Sequence, residues 1–250
     1  MILQPLEQFK IILFFDIGLL ISWMVIVSNF ILYSTFICFF FYFLFKWSII
    51  KYSFLNNYWA IFIEYSVIFV LDLIDQQIGK KGNKFFVLIF TLFFFIFMAN
   101  LIGLLPYSFT TTSHVSQTFT LSLSLFLGVT FIGFIVQKLK FFELFVPKDV
   151  VFVLIPFLII IEIISYISRA FSLAIRLFAN MVSGHTLLNI LAGFSLSLFN
   201  FKFYHQRIFA ILPFFVIFII FVLEFCISFL QAYVFAVLIC IYLNDSLHGH

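Results

Sequence analysis

The feature that most restricts this chain is a long stretch without charge. Residues 85–137 contain no Asp, Glu, Lys or Arg, and such a stretch is long enough for two membrane crossings of about 20 residues each. Over the whole chain 9% of the residues are charged and 65% are hydrophobic, whereas soluble domains contain about 25% charged residues. This composition excludes a soluble fold, a nucleic-acid-binding domain and a disulfide scaffold. We therefore predict an all-α polytopic membrane protein.

Charge-free runs and polar interruptions divide the chain into six segments of a single membrane domain, residues 1–250. Five segments are predicted to cross the membrane: 17–45, 85–105, 118–137, 150–199 and 208–243. The last two are too long for a perpendicular crossing, so we predict a strongly tilted antiparallel hairpin. Pro156 and Pro213 are predicted places for these two helices to bend.

The remaining segment, 54–79, has a polar stripe. Asn57, Glu64 and Asp75 fall on one side of a helix with 3.6 residues per turn. We predict an amphipathic helix on the membrane surface, with a tilted span as the alternative. Five crossings then place the termini on opposite sides, and the excess of lysines between segments places the C-terminus on the side from which the chain is inserted.

Charged side chains inside the last two segments are functional candidates, because a charge within lipid is costly. Glu162, Arg169 and Arg176 recur every seven residues and form one helical stripe. His185 points to the other side of the same helix. The last segment carries further polar groups: Glu224, Gln231 and Asp245.

In an antiparallel hairpin, residues equally far from the connecting link lie at the same depth. Counting from the link 200–207 predicts three pairs, at levels roughly 13 to 21 Å apart. The pairs are Arg176 with Gln231, His185 with Glu224, and Glu162 with Asp245. For the last pair, near the membrane edge, simple pairing of buried polar groups is the alternative explanation.

The three levels suggest a divided proton path. His185 and Glu224 can accept and pass protons near the link. Glu162 and Asp245 can do the same near the opposite face of the membrane. Arg176 lies between them and stays protonated, so it cannot relay a proton by releasing one. Two half-channels separated by a fixed cation would not leak. A carboxylate on another subunit would have to carry protons from one to the other.

The residues around Arg176 resemble a family signature. The run SLAIRLFANMVSGHTLL at 172–188 is similar to subunit a of the mitochondrial F-type ATP synthase. Supporting stretches occur in the family's order: PLEQF at 5–9, NLIGLLP at 100–106, LEF at 223–225 and QAYVF at 231–235. His185 after Gly184 is typical of the mitochondrial branch. The resemblance implies a non-catalytic stator subunit that couples proton flow to ATP synthesis.

The resemblance also assigns seven polar residues to three places. Arg176 is the proton gate with Asn180 and Gln231 beside it, the half-channel on the intermembrane side has His185 and Glu224, and the matrix-side half-channel has Glu162 and Asp245. The implied location is the mitochondrial inner membrane, with the N-terminus in the intermembrane space and the C-terminus in the matrix. The implied partners are the c-subunit ring, the other stator and peripheral-stalk membrane subunits, and the lipid bilayer, with cardiolipin as a candidate lipid and dimerisation of the complex as a further option. No nucleic acid, cofactor or metal is expected.

A self-contained ion channel or secondary transporter is the alternative function. Such a protein should show inverted repeats or interrupted short helices, and the sequence has neither. A purely structural subunit would not need three polar pairs in one hairpin, and an intramembrane enzyme would need a motif such as HExxH, which is absent. Arg169 has no assigned functional role and is expected to pair with a carboxylate or a lipid headgroup, and the polar loop 106–117 has no assigned role.

Overall fold

The computed structural model describes residues 11, 13–17, 25–52, 58–105, 108–138, 141, 155–199 and 211–248. Six helices contain most of them: α1 Asn29–Tyr52, α2 Tyr58–Gln77, α3 Phe86–Gly103, α4 Val115–Gln137, α5 Ile155–Phe199 and α6 Ile211–His248. Short 3₁₀ helices, Lys80–Phe85 and Thr111–Ser113, lead into α3 and α4. A small antiparallel hairpin, β1 Leu13–Ile17 and β2 Val25–Ser28, comes before α1. The predicted all-α class is confirmed.

The start of the first helix differs from the sequence prediction. The predicted segment was 17–45, whereas α1 begins at Asn29 and ends at Tyr52. The residues just before it, Val25, Ile26 and Val27, are β-branched and lie in strand β2. Branching at Cβ favours the extended backbone, which explains why the apolar run is not helical from its beginning.

Within the described residues, four helical segments are long and apolar enough to cross a membrane. They are Gly82–Gly103, Val115–Gln137, Ile155–Phe199 and Leu212–Leu247. In α1 the described apolar stretch, Ile31–Phe43, is shorter than these four and is not among them. The crossing by α1 therefore stays a prediction, while the other four predicted crossings each have a matching helix.

Helix α2 has one buried face and an outer face that carries both acidic and apolar side chains. Leu73 and Ile74 are buried in the common core with α3 and α6, whereas Glu64 and Asp75 are exposed. Asn57, the third member of the predicted stripe, lies outside the described residues. Large apolar side chains of α2, such as Phe62 and Tyr65, are exposed as well, so an amphipathic helix on the membrane surface stays a prediction.

Helices α5 and α6 have 45 and 38 residues. At 1.5 Å per residue they are about 68 and 57 Å long, roughly twice the ~30 Å hydrocarbon thickness. Pro156 and Pro213 lie in the first turn of each helix, where the missing N–H breaks no hydrogen bond. The residues directly before both helices lie outside the described part of the chain, so a bend at these prolines stays a prediction.

Small residues allow α6 to lie close to its neighbours. Ala232, Ala236 and Cys240 recur every fourth residue and are almost completely buried, and small side chains at this spacing let helices approach closely. Aromatic packing adds to the contact, since Phe93 of α3 and Phe229 of α6 meet edge to face with ring centroids 6.0 Å apart. Helix α6 is thereby held at a defined rotation, which sets the direction of its polar side chains.

The outer surface of the bundle is apolar. Phe131, Leu212 and Phe214 are each about 70% exposed, and many other large apolar side chains are also on the outside. Patches of this extent on a soluble monomer would cause association. Lipid or further subunits are the surroundings that suit this surface.

Candidate functional site

Helices α5 and α6 pack side by side in opposite directions. Asn180 of α5 donates a hydrogen bond from Nδ2 to Oε1 of Gln231 on α6, at 3.2 Å. Farther along α5, His185 lies beside Glu224, which is nearer the start of α6. The predicted antiparallel hairpin is therefore present. We call the end of this pair at Phe199 and Ile211 the link end, and the opposite end the far end.

His185 and Glu224 form the most buried titratable pair of the site. Nε2 of His185 lies 3.8 Å from Oε1 of Glu224, and the two residues are 8% and 4% exposed. Within the described part of the chain, neither carboxylate oxygen of Glu224 has a hydrogen-bond partner. Counting from the link predicted that these two side chains face each other, and they do so in the structure.

Gly184 provides the space that Glu224 occupies. A Cβ atom at Gly184 would lie 2.5 Å from Oε1 and 2.7 Å from Cδ of Glu224, far inside van der Waals contact. Glycine within a helix costs about 1 kcal/mol relative to alanine, so its presence in the middle of α5 has a packing reason here. Sequence reasoning did not assign Gly184 a role, although a glycine inside a helix and directly before a candidate histidine was a usable signal.

On the proton path predicted from the sequence, we expect Gly184→Ala to slow proton flow without preventing assembly, because the new methyl group displaces the end of the flexible Glu224 side chain. We expect a fall on the order of tenfold, which corresponds to about 1.4 kcal/mol on the barrier to proton transfer. ATP-driven acidification of membrane vesicles measures it. Gly193→Ala is the matched control, since a Cβ there meets nothing within 4 Å. Equal effects of the two substitutions would contradict the role of Gly184.

Arg176 lies one turn from the hydrogen bond between Asn180 and Gln231, and its side chain is exposed. Counting from the link predicted Arg176 and Gln231 at one depth; the hydrogen bond to Gln231 comes instead from Asn180, a shift of one turn. Among the described residues Arg176 has no hydrogen-bond or ion-pair partner. An arginine inside a long apolar helix thus presents its charge to the outside of the bundle.

A third polar cluster lies toward the far end. Arg169 pairs with Glu162 on the same helix at 3.6 Å, and both side chains are about 40% exposed. Asp245 on α6 is within electrostatic range of Tyr166, which also interacts with Arg169. The backbone oxygen of Asp245 accepts a hydrogen bond from Nε2 of Gln137 at 3.2 Å. Arg169 thus has a carboxylate partner, Glu162, as expected from the sequence.

The three clusters lie at different depths along α5. Glu162 and Arg176 are about 21 Å apart along the helix axis, and Arg176 and His185 about 13 Å. Titratable groups thus lie on both sides of Arg176 along the helix.

The fold and the site define a polytopic helical membrane protein with titratable groups inside its longest helix pair. Comparison with known families gives the same result in more detail: the ATP synthase A chain family matches residues 20–244. The chain belongs to this family, and the resemblance seen in the sequence is confirmed.

Individual relatives are similar over most of their length. The ATP synthase subunit a of Acanthamoeba castellanii is 47% identical over 251 residues, covering 98% of both chains. That of Chondrus crispus is 41% identical over 255 residues, covering 100% of this chain and 98% of the relative. The protein from the bacterium Rhodospirillum rubrum is 47% identical over 182 residues, or 73% of each chain.

Proposed function

We propose that this chain is the proton-translocating stator subunit of an ATP synthase membrane sector. It has no catalytic site of its own in this role and conducts protons to and from the carboxylates of a rotating c-ring. We place it in the mitochondrial inner membrane, with the N-terminus in the intermembrane space and the C-terminus in the matrix. Other stator and peripheral-stalk membrane subunits, and cardiolipin among the surrounding lipids, are further proposed partners, as is a second copy of the complex.

The observation that carries the proposal is the position of Arg176. Its guanidinium stays charged at any physiological pH, and an arginine at the centre of a membrane helix costs about 2.5–3.5 kcal/mol even when it can reach water. Such a charge needs an anionic partner, and among the described residues it has none. A carboxylate presented by a neighbouring subunit meets this requirement.

The clusters on the two sides of Arg176 supply two proton paths, one toward each face of the membrane. At the link end His185 and Glu224 are buried side by side, so a proton can pass between imidazole and carboxylate. At the far end the acids Glu162 and Asp245 lie near Arg169 and Tyr166. We propose that the first pair belongs to the half-channel open to the intermembrane space and the second to the half-channel open to the matrix.

Arg176 keeps the two half-channels apart. A proton arriving from either side is repelled by the fixed cation, so it can cross only when bound to a ring carboxylate that is carried around by rotation. Ion pairing with Arg176 makes each ring carboxylate release its proton as it arrives. The membrane potential supplies about 2.3 kcal/mol per proton per 100 mV, which drives rotation in one direction.

Purification of the intact membrane sector tests this function. We expect the chain to co-purify with a ring of small subunits that carry a carboxylate, and to conduct protons in vesicles only together with that ring. The chain reconstituted alone should not conduct. A stable chain that conducts protons without other subunits would contradict the proposal and favour a self-contained channel.

Cysteine cross-linking tests which face meets the ring. Ser172 lies one turn before Arg176 and is exposed, and Ser124 on α4 is exposed elsewhere on the bundle. In a chain whose three natural cysteines are replaced, Ser172→Cys should cross-link to cysteines placed beside the ring carboxylate, whereas the control Ser124→Cys should not. Cross-linking at Ser124 alone would place the ring on another face.

A further inference from the structure

Helix α4 is joined to α5 by a buried hydrogen bond that crosses from one helix to the other. Oγ of Ser122 donates to the backbone oxygen of Ala170 on α5 at 2.7 Å, and Ser122 is 2% exposed. A serine in a helix can satisfy its hydroxyl within its own turn. Other hydroxyl groups of α4 do so by donating to backbone oxygens of their own helix: Thr118, Thr120, Ser124 and Thr130. The bond from Ser122 to α5 is therefore not a requirement of its burial.

Two aromatic contacts lie on either side of this hydrogen bond. The ring centroids of Phe119 and Phe171 are 4.9 Å apart, and those of Phe126 and Tyr166 are 4.7 Å apart. A residue farther along α4 meets a residue earlier on α5, so the two helices run in opposite directions here. Apolar contacts of this kind fit several registers, because helices in lipid gain little from burying apolar side chains against each other. The directed bond from Ser122 selects one register.

A second hydrogen bond joins the end of α4 to the end of α6. Nε2 of Gln137, the last residue of α4, donates to the backbone oxygen of Asp245 at 3.2 Å. Asp245 lies in the last turn of α6, which ends at His248, and the backbone oxygens of a last turn have no partner within the helix. Gln137 thus caps α6 and holds Asp245 at a defined depth.

Gly133 allows the end of α4 to approach α6 closely. A Cβ atom at Gly133 would lie 3.1 Å from Cβ of Ser246, and Ser246 is 1% exposed. Gly133 is one turn before Gln137 on the same side of α4. The bond from Gln137 to Asp245 is therefore part of a tight contact between the two helix ends.

The residues that α4 holds belong to the cluster at the far end. Asp245 is one of its two acids, and Ala170 follows Arg169, which pairs with the other acid, Glu162. Both acceptors are backbone oxygens, so each bond fixes a helix and not a single side chain. Proton transfer requires groups within hydrogen-bond reach, whereas a slip of one helical turn would move an acid by about 5.4 Å.

We propose that Ser122 and Gln137 are positioning residues of the proton path at the far end: they set the depths of α5 and α6 against α4 and so place Glu162 and Asp245. This inference rests on the proposed function of the chain. A serine hydroxyl and an amide do not titrate at physiological pH, so neither residue carries a proton itself. The oxygen of Ala170 has two lone pairs and keeps its bond within α5 when Ser122 is lost.

Removal of either donor tests the proposal in the assembled complex. We expect Ser122→Ala and Gln137→Met each to lower passive proton conduction through the membrane sector by about fivefold, equivalent to ~1 kcal/mol at 1.36 kcal/mol per tenfold change in rate. Ser122→Thr restores the hydroxyl and should retain most of the conduction. A small cavity between α4, α5 and α6 lies beside Ser122, which leaves room for the additional methyl group of threonine.

Ser124→Ala is the matched control on the same helix. The Ser124 hydroxyl donates to the backbone oxygen of Leu121 at 3.0 Å, so its removal changes no contact between helices and should leave conduction unchanged. Wild-type conduction in both Ser122→Ala and Gln137→Met would overturn the positioning role. Equal losses in Ser122→Ala and Ser124→Ala would do the same, since the effect would then not depend on the bond to α5.

Cross-linking within the chain measures the register itself. In a chain whose natural cysteines are replaced, Phe119→Cys with Phe171→Cys should react with a short bifunctional thiol reagent. Phe119→Cys with Ile167→Cys or Ile175→Cys, one turn to either side on α5, should react little. Addition of Ser122→Ala should shift the reaction from the first pair toward the other two, and an unchanged ratio of yields would contradict the role of Ser122.

Glu162→Gln and Asp245→Asn separate this inference from the proposed function. If the acid variants lower conduction while Ser122→Ala and Gln137→Met conduct normally, the positioning role is wrong and the stator function stands. If both acid variants conduct normally, the proposed proton path at the far end is wrong. A shifted cross-link ratio in Ser122→Ala would in that case still show that Ser122 sets the register of α5.

Discussion

Replacing Arg176 by alanine is expected to abolish proton-driven ATP synthesis and to open a passive proton leak. Arg176 is the cation that separates the two titratable clusters, and its repulsion of a proton about 4 Å away amounts to ~4 kcal/mol at an effective dielectric constant of about 20. Loss of that barrier corresponds to an increase in leak rate of about three orders of magnitude. The leak is measured as decay of a proton gradient in vesicles that contain the assembled membrane sector.

Two controls make this result specific to position 176. Arg176→Lys keeps a positive charge and should leak much less than Arg176→Ala, although a lysine can release its proton and cannot replace the guanidinium fully. Arg169→Ala removes the other arginine of the same helical stripe, which pairs with Glu162, and should not open a leak because Arg176 remains. A tight membrane and normal ATP synthesis with Arg176→Ala would overturn the gate assignment.

Glu224→Gln is expected to reduce proton flow on the order of 10²-fold, the contribution typical of a positioned acid or base. Glutamine has the same shape as glutamate but cannot bind and release a proton. The buried His185 would then lose the only carboxylate placed within 4 Å of it in the described part of the chain. ATP synthesis driven by an imposed gradient, and ATP-driven pumping in the reverse direction, should fall together.

The exposed Glu64 of α2 provides the matched control for Glu224. Its carboxylate lies outside the α5–α6 pair, so Glu64→Gln removes one negative charge from the same chain and should leave both rates unchanged. In contrast to Arg176→Ala, neither glutamine variant should produce a leak. Normal rates with Glu224→Gln in a fully assembled complex would remove Glu224 from the proton path.

The helices could be predicted from the sequence because the relevant signal is local. The charge-free run 85–137, for example, contains helices α3 and α4. The prediction did less well where two local preferences compete. Val25, Ile26 and Val27, just before Asn29, are both apolar and β-branched. Their β-branching favours the strand that the structure has there.

The sequence predicted the positions of the site residues along the helices more accurately than it predicted which residues contact each other. Counting from the link matched His185 with Glu224, which the structure places 3.8 Å apart. For Gln231 the same count pointed to Arg176, but the hydrogen bond comes from Asn180, one turn away. A one-turn offset arises because the link need not be symmetric and because side chains extend toward the start of their own helix.

The sequence by itself determined the class of the protein, the extent of its long helices and the order of polar groups along them, because helical rise and periodicity convert residue numbers directly into depth and direction. Only the tertiary structure decided which faces meet. That Gly184 makes room for Glu224, and that Thr110 and His185 approach Gly103, depends on contacts between helices far apart in the chain. Such contacts are set by the combined packing of all the helices, and no local pattern around Thr110 or Gly103 encodes them.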